Sequence, residues 1–191
     1  MVCCKLNIIK PTYFYIVFNI KEALKREHSK RTTDLIVNYV ANNKKRFKEL
    51  MDLLLGEDVL MVQRASWPLS YIAKNQPKLL APYWSKLLDE LPRSKHVAFN
   101  RSVFRSLSLV TNLPIEIHGR VINECMDTIT DNNKSTASRF YAMYTMVNMV
   151  KLYPELKEEL KLHVEPFLNH KLPSMVAGTR ALLKQIQKIK V

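Results

Sequence analysis

The sequence predicts an all-α chain built as an α-solenoid of antiparallel helix pairs, and three observations carry that reading. Arg64, Arg101, Arg139 and Arg180 recur at steps of 37, 38 and 41 residues. Pro77, Pro114 and Pro154 keep the same beat, at steps of 37 and 40. The residue three places after each arginine is apolar every time: Trp67, Phe104, Ala142 and Leu183. A helix pair cannot bury its own apolar face and must stack on a neighbour, so a period near 40 with two helices in each is a solenoid signature. Competing signals are weak. Segments that alternate with period two are few and short, and three glycines in 191 residues leave little hairpin chemistry.

The helices follow in order. Residues 20–29 and 32–42 read as two N-terminal helices that cap the array over 20–43. In 44–55, Phe47, Leu50, Met51 and Leu54 fall at spacings of three and four, which puts them on one face. Gly56 is expected to end that helix in a left-handed C-cap. About four pairs then fill 44–190: 58–75 with 78–91, 96–111 with 115–130, 135–152 with 155–169, and a last helix from 174. Gln76-Pro77, Leu113-Pro114 and Tyr153-Pro154 each end one helix and start another, because a first-turn proline forfeits no intrahelical bond. Pro68, Pro82 and Pro166 fall inside predicted helices and should bend them. Trp67, Leu107, Met146 and Leu183 are expected to be buried between neighbouring helices.

Residues 1–19 differ from the rest. They are apolar and aromatic, but Lys10 and Pro11 interrupt them well short of the roughly 20 residues a spanning helix needs. The reading is a poorly ordered N-terminal extension, with a membrane-touching or partner-binding tail as the alternative and no membrane span anywhere. Cys3, Cys4 and Cys125 make neither a disulfide framework nor a CxxC zinc pattern. A reducing, cytoplasmic setting follows. Cys125 reads as a small buried residue, and His118 near it does not complete a metal site.

The segment DVLMVQRASWPLSYIA at 58–73 resembles the second helix of a HEAT repeat, in which an acidic turn residue precedes an arginine followed by alanine. Asp58, Arg64 and Ala65 match that pattern, and Arg180-Ala181 matches its arginine half. Arg101-Ser102 and Arg139-Phe140 depart at the small residue and match by spacing alone. The resemblance covers about 44–190 and marks a fold rather than an activity. It implies a right-handed solenoid whose second helices line the concave surface. It also implies that Arg64, Arg101, Arg139 and Arg180 are structural, tying each inter-helix turn to a neighbouring repeat.

Charge speaks most directly to function. Thirty basic against seventeen acidic residues give a net charge of +13, which favours an acidic partner, nucleic acid or an anionic surface. Residues 59–76, 97–110, 135–152 and 174–190, the second helices, hold ten basic residues and no Asp or Glu. Acidic residues such as Glu49, Asp52, Asp89, Glu124 and Glu158 gather in first helices and turns. Burial would deplete both signs. The candidate partner-binding residues are therefore Arg101, Arg105, Arg139, Lys151, Arg180 and Lys184. Further basic clusters occur at 21–48, which includes Lys44, Lys45 and Arg46.

No zinc-protease, nucleophile-elbow, P-loop or dinucleotide motif occurs, and the five histidines are scattered. No cofactor, metal or small-molecule substrate is implied. The HEAT-like DNA glycosylases that excise alkylated bases are similar in helical repeats and basic charge. Trp67, Tyr71, Phe104, Tyr141 and Tyr144 could supply their aromatics, but the second helices lack the carboxylate such chemistry needs near a cationic sugar transition state. The function expected is a non-enzymatic scaffold that binds an acidic protein or peptide through a basic concave face. The alternative is a nucleic-acid-binding solenoid.

Overall fold

A computed structural model describes residues 18–190. Residues 1–17 of the N-terminal extension lie outside the described residues, but the last two residues of that stretch take part in the fold. Asn19 caps the first helix through its side chain, and the Phe18 ring lies 4.9 Å from that of Tyr39.

The described residues form helices and turns without a strand. They run α1 (Ile20–Arg26), α2 (Lys30–Val40), α3 (Lys44–Leu54), α4 (Val59–Asn75), α5 (Trp84–Glu90), α6 (Val97–Leu109), α7 (His118–Thr130), α8 (Thr136–Val150), α9 (Lys157–Val164) and α10 (Pro173–Gln187). They stack as an α-solenoid. The even-numbered helices make one layer, α2 on α4, α4 on α6, α6 on α8 and α8 on α10. The odd-numbered ones make the other, α1 against α3, α5 against α7 and α7 against α9. The two helices before residue 44 are themselves a pair that continues both layers.

Side-chain caps explain five of the ten α-helix starts among the described residues. Asn19, Ser29, Asn43, Asp58 and Ser135 each accept a backbone N–H of the first turn, which satisfies donors the helix cannot. Ser29 therefore begins α2 rather than ending α1. Pro68 sits within an unbroken α4. Pro82 and Pro166 do more than bend a helix. The chain breaks into 3₁₀ turns at Pro77–Leu79, Ala81–Tyr83 and Glu165–Asn169, leaving α5 with seven residues and α9 with eight. Proline removes one bond of the α ladder and clashes with the carbonyl four back. Short helices with little ladder to lose give way.

Gly56 is not a left-handed cap, since no described glycine has positive φ. A Cβ there would approach the Asp52 carbonyl to 3.0 Å, so the residue is small because the chain passes close. The positive φ falls instead on Ala41, at φ 40° and ψ −132°. Asn43 N–H donates to the Val40 carbonyl at 2.9 Å across it, which makes Val40–Asn43 a type II′ turn with alanine at the position glycine prefers.

The core runs between the layers, and its largest fully buried side chain is Trp84. Leu107 and Met146 are buried as expected, whereas Trp67 and Leu183 are half-buried. Trp67 lies on the open side of α4 against the His28 ring, 5.1 Å between centroids. Leu183 lies on α10, which no later described helix covers. Cys125 is fully buried, and burial pushes its thiol pKa far up. His118 donates Nε2–H to the Leu113 carbonyl (3.0 Å), and its Nδ1 lies at hydrogen-bond distance, 2.8 Å, from the Tyr153 hydroxyl. It is a tie between turns and not half of a metal site.

Hydrogen bonds between pairs reproduce the repeat. Arg64 donates to the Leu24 carbonyl 40 residues back, Thr145 to Phe104 at 41, and Asn148 to Ser108 at 40.

Candidate partner-binding face

Helices α4, α6, α8 and α10 contain no Asp or Glu. In α2 the one carboxylate, Asp34, is paired with Lys30. Among the side chains of this layer that reach solvent, Arg64, Trp67 and Tyr71 on α4, Arg101 and Arg105 on α6, and Tyr141 and Tyr144 on α8 fall at helical spacing.

These groups interleave across four helices. Lys30 Nζ lies 4.6 Å from the centre of the Tyr71 ring. The Arg105 guanidinium lies 5.4 Å from the same ring and 5.9 Å from that of Tyr141. The order is cation, aromatic, cation, aromatic, one from each of α2, α4, α6 and α8. Each contact of this kind contributes about 0.5–1 kcal/mol at an exposed site. The ladder holds the long side chains in place along the face. Phe104, by contrast, is buried in the core.

The expected site residues do not all gather here. Arg101 is exposed, and among the described residues it has no hydrogen-bond partner. Arg105, half-buried, is wedged between Tyr71 and Tyr141. Arg139 donates Nε–H to the Ile129 carbonyl at 3.0 Å and lies 4.4 Å from the Phe167 ring, so it braces α8 against the end of α7. Burial pulls its pKa down. Lys151 caps α8 and donates to Asn148 Oδ1 at 3.2 Å. Arg180 is exposed on α10, again without a hydrogen-bond partner among the described residues. Lys184 lines a crevice between α9 and α10 with Glu158 and Glu165.

The repeat arginines divide in the same way. Arg64 donates to the carbonyls of Leu24 (2.5 Å) and Lys25 (3.0 Å), the exposed end of α1, and so ties two pairs together. Arg139 ties α8 to α7. Arg101 and Arg180 point into solvent.

His28 reports the local field. Its pKa is lowered from 6.5, first by desolvation and then by the charges of Arg64 and Arg101. Both arginines therefore lie close enough to His28 for their charges to act on it. Sequence reasoning missed this histidine because it lies in a turn between α1 and α2, outside any repeat position. It also missed the ladder: Tyr71, Arg105 and Tyr141 are 34 and 36 residues apart, off the repeat period.

Among the described residues no group of three His, Cys, Asp or Glu could hold a metal, and no helix is long and apolar enough to cross a membrane. A family model described as a HEAT repeat domain matches residues 20–188. Among solved structures, the chain is similar to a designed armadillo repeat protein in complex with the peptide (KR)4. The identity is 16% and the TM-score 0.57, over 87% of this chain and 80% of that one. At that identity the likeness is one of fold. None of the curated proteins matches.

Proposed function

This chain belongs to the HEAT repeat domain family, and we propose that it is a scaffold that holds an acidic protein or peptide along the open face of its even-numbered helices. The carrying observation is the run of four helices without a carboxylate, from which Arg101 and Arg180 project free of partners among the described residues. The armadillo relative in fold was captured with a Lys/Arg peptide. A face whose α4, α6, α8 and α10 carry cations and no carboxylate favours a ligand of opposite sign, since like charges brought together across an interface cost several kcal/mol. HEAT folds serve chiefly as scaffolds, and α4, α6, α8 and α10 supply no carboxylate for glycosidic chemistry, while Asp34 on α2 is paired with Lys30. The three cysteines keep the proposed setting cytoplasmic.

A nucleic-acid reading has one observation in its favour, the cation–aromatic ladder, because stacking platforms use that alternation. Its rings are already occupied by Lys30 and Arg105, which weakens the case.

The test is fluorescence anisotropy with a Glu-rich peptide, a Lys-rich peptide and a single-stranded oligonucleotide over a salt series. The Glu-rich peptide should bind and the Lys-rich one should not. Arg105 is wedged and Arg139 and Lys151 are bonded, so the reversals to make are Arg101→Glu and Arg180→Glu. Together they should weaken the Glu-rich peptide at least about tenfold with unchanged circular dichroism, as free surface positions allow. Tighter binding of the oligonucleotide, with a log–log salt slope of several units, would select the nucleic-acid reading instead.

A further inference from the structure

A second basic feature lies apart from that face. A cavity of about 680 Å³ opens between the start of α3 and the 3₁₀ turns that precede α5. Its floor is apolar: Phe47, Leu79 and Tyr83, with the Phe47 and Tyr83 rings edge-to-face at 5.4 Å. Its rim is cationic: Lys44, Lys45, Lys48 and Lys78. Lys48 is committed to Asp52 at 2.6 Å. Among the described residues Lys44, Lys45 and Lys78 have no ion pair, and all three are exposed.

The position of Lys44 and Lys45 is costly for the fold. Lys44 and Lys45 are the first two residues of α3, and no acidic residue stands in its first turn. The helix dipole is positive at that end and disfavours cations. Lys78 comes from a turn 33 residues later and adds a third charge to the same rim. An apolar floor beneath three free ammonium groups suits a ligand with an apolar body and anionic flanks. The cavity is the size of those that take one compact ligand. Nine residues from α3 and the two 3₁₀ turns line it, a span that suits one anchoring side chain and the few residues around it.

We propose that this cavity is a docking pocket for a short acidic peptide motif that inserts one large apolar side chain between flanking carboxylates. The anchor packs against the half-buried Tyr83 ring and the exposed Ala81 and Pro82, and the carboxylates pair with Lys44, Lys45 and Lys78. The chain's own residues 1–17 are a poor match, since they carry Lys5 and Lys10 and no carboxylate. The pocket is independent of the Arg101 face, which gives the two readings separate tests.

The probe is a fluorescein-labelled hexapeptide, Glu-Glu-Phe-Leu-Glu-Glu, titrated with the full chain by anisotropy. Binding should weaken at least about tenfold in Lys45→Glu/Lys78→Glu and similarly in Ala81→Phe, which fills the cavity and leaves its charge intact. A Lys-flanked peptide with the same Phe-Leu centre should gain affinity for the Lys45→Glu/Lys78→Glu variant. Arg101→Glu/Arg180→Glu should remove only the weaker binding, independent of Phe-Leu, that any Glu-rich peptide shows at the other face. Ala81→Phe should still weaken the hexapeptide by the same factor in that background. Equal binding of a probe with alanine in place of Phe-Leu would overturn the proposal, as would losses confined to the Arg101/Arg180 variant. Vesicles of phosphatidylserine and phosphatidylcholine that bind more tightly than the peptide, and lose binding in Lys45→Glu/Lys78→Glu, would overturn it in favour of a lipid surface.

Discussion

The Phe140 ring on α8 occupies the space where residue 178 on α10 would carry its Cβ, so glycine at 178 and phenylalanine at 140 are two halves of one contact. Phe140 follows a repeat arginine, at the position where Ala65, Ser102 and Ala181 follow the others. The large residue there is accommodated by a missing side chain on the next helix of the layer. The ring is held from behind by Tyr144, 4.9 Å away and edge-to-face.

The pair should be strongly non-additive. A helix-interior Gly→Ala change normally stabilises by about 1 kcal/mol, whereas overpacking costs about 1–3 kcal/mol. Gly178→Ala should therefore stabilise only in a Phe140→Ala background and be neutral or destabilising in the natural chain. Denaturant melts of the four proteins in the double-mutant cycle measure this coupling. Additive effects would show that the ring moves aside freely.

Ala41→Gly should raise stability. The II′ position strains an L-residue, and removing that strain outweighs the added freedom of the unfolded chain by about 1 kcal/mol. For a domain of this size that is a rise in Tm of roughly 2–4 °C. A lower Tm would mean that the turn relaxes in solution.

The two tryptophans should differ sharply. Trp84 is 1% exposed, and truncation to alanine should cost about 3–5 kcal/mol. Trp67 is half-buried against His28, and its truncation should cost less than about 2 kcal/mol. Equal losses in thermal melts would place Trp67 back in the core.

His28 should titrate below its ordinary value of 6.5. The unfolded chain then binds its proton first as pH falls. The histidine's contribution to stability is thus intact above about pH 6.5 and declines as pH drops towards the folded-state pKa. Imidazole NMR shifts follow this directly. Arg101→Gln should move the titration up, and so should a polyanion seated over Arg64 and Arg101. A pKa at or above 6.5 in the free protein would remove the two arginines from its surroundings.

The repeat was legible in the sequence because its chemistry is written at fixed intervals. Arg64 reaches α1 one repeat back, whereas Arg101, Arg139 and Arg180 make no such tie among the described residues, so their spacing marks the period without sharing one role. The cost of each proline was harder to read. Pro68 sits in a 17-residue helix with enough ladder to absorb it, while Pro82 and Pro166 sit in short first helices that give way. Gly56 does not take the left-handed role expected of it, and the positive φ at Ala41 was not foreseen, because positive φ depends on how the chain must turn, which composition does not record. Lys44 and Lys45 stood out as a charge cluster. Lys78 and the rings that make their surroundings a pocket come from other elements, and only the folded chain joins them.

Thr145 and Asn148 on α8 meet the carbonyls of Phe104 and Ser108, which lie one turn apart on α6. That double match makes the array a counting device. One residue added to α6 between Phe104 and Ser108 would turn everything after it by about 100°, and the two donors could no longer meet both acceptors. A residue added between Asp131 and Lys134 would lengthen a turn and leave both helices in phase. Changes of chain length should therefore be tolerated at the turns and rejected within the even-numbered helices, whatever their composition.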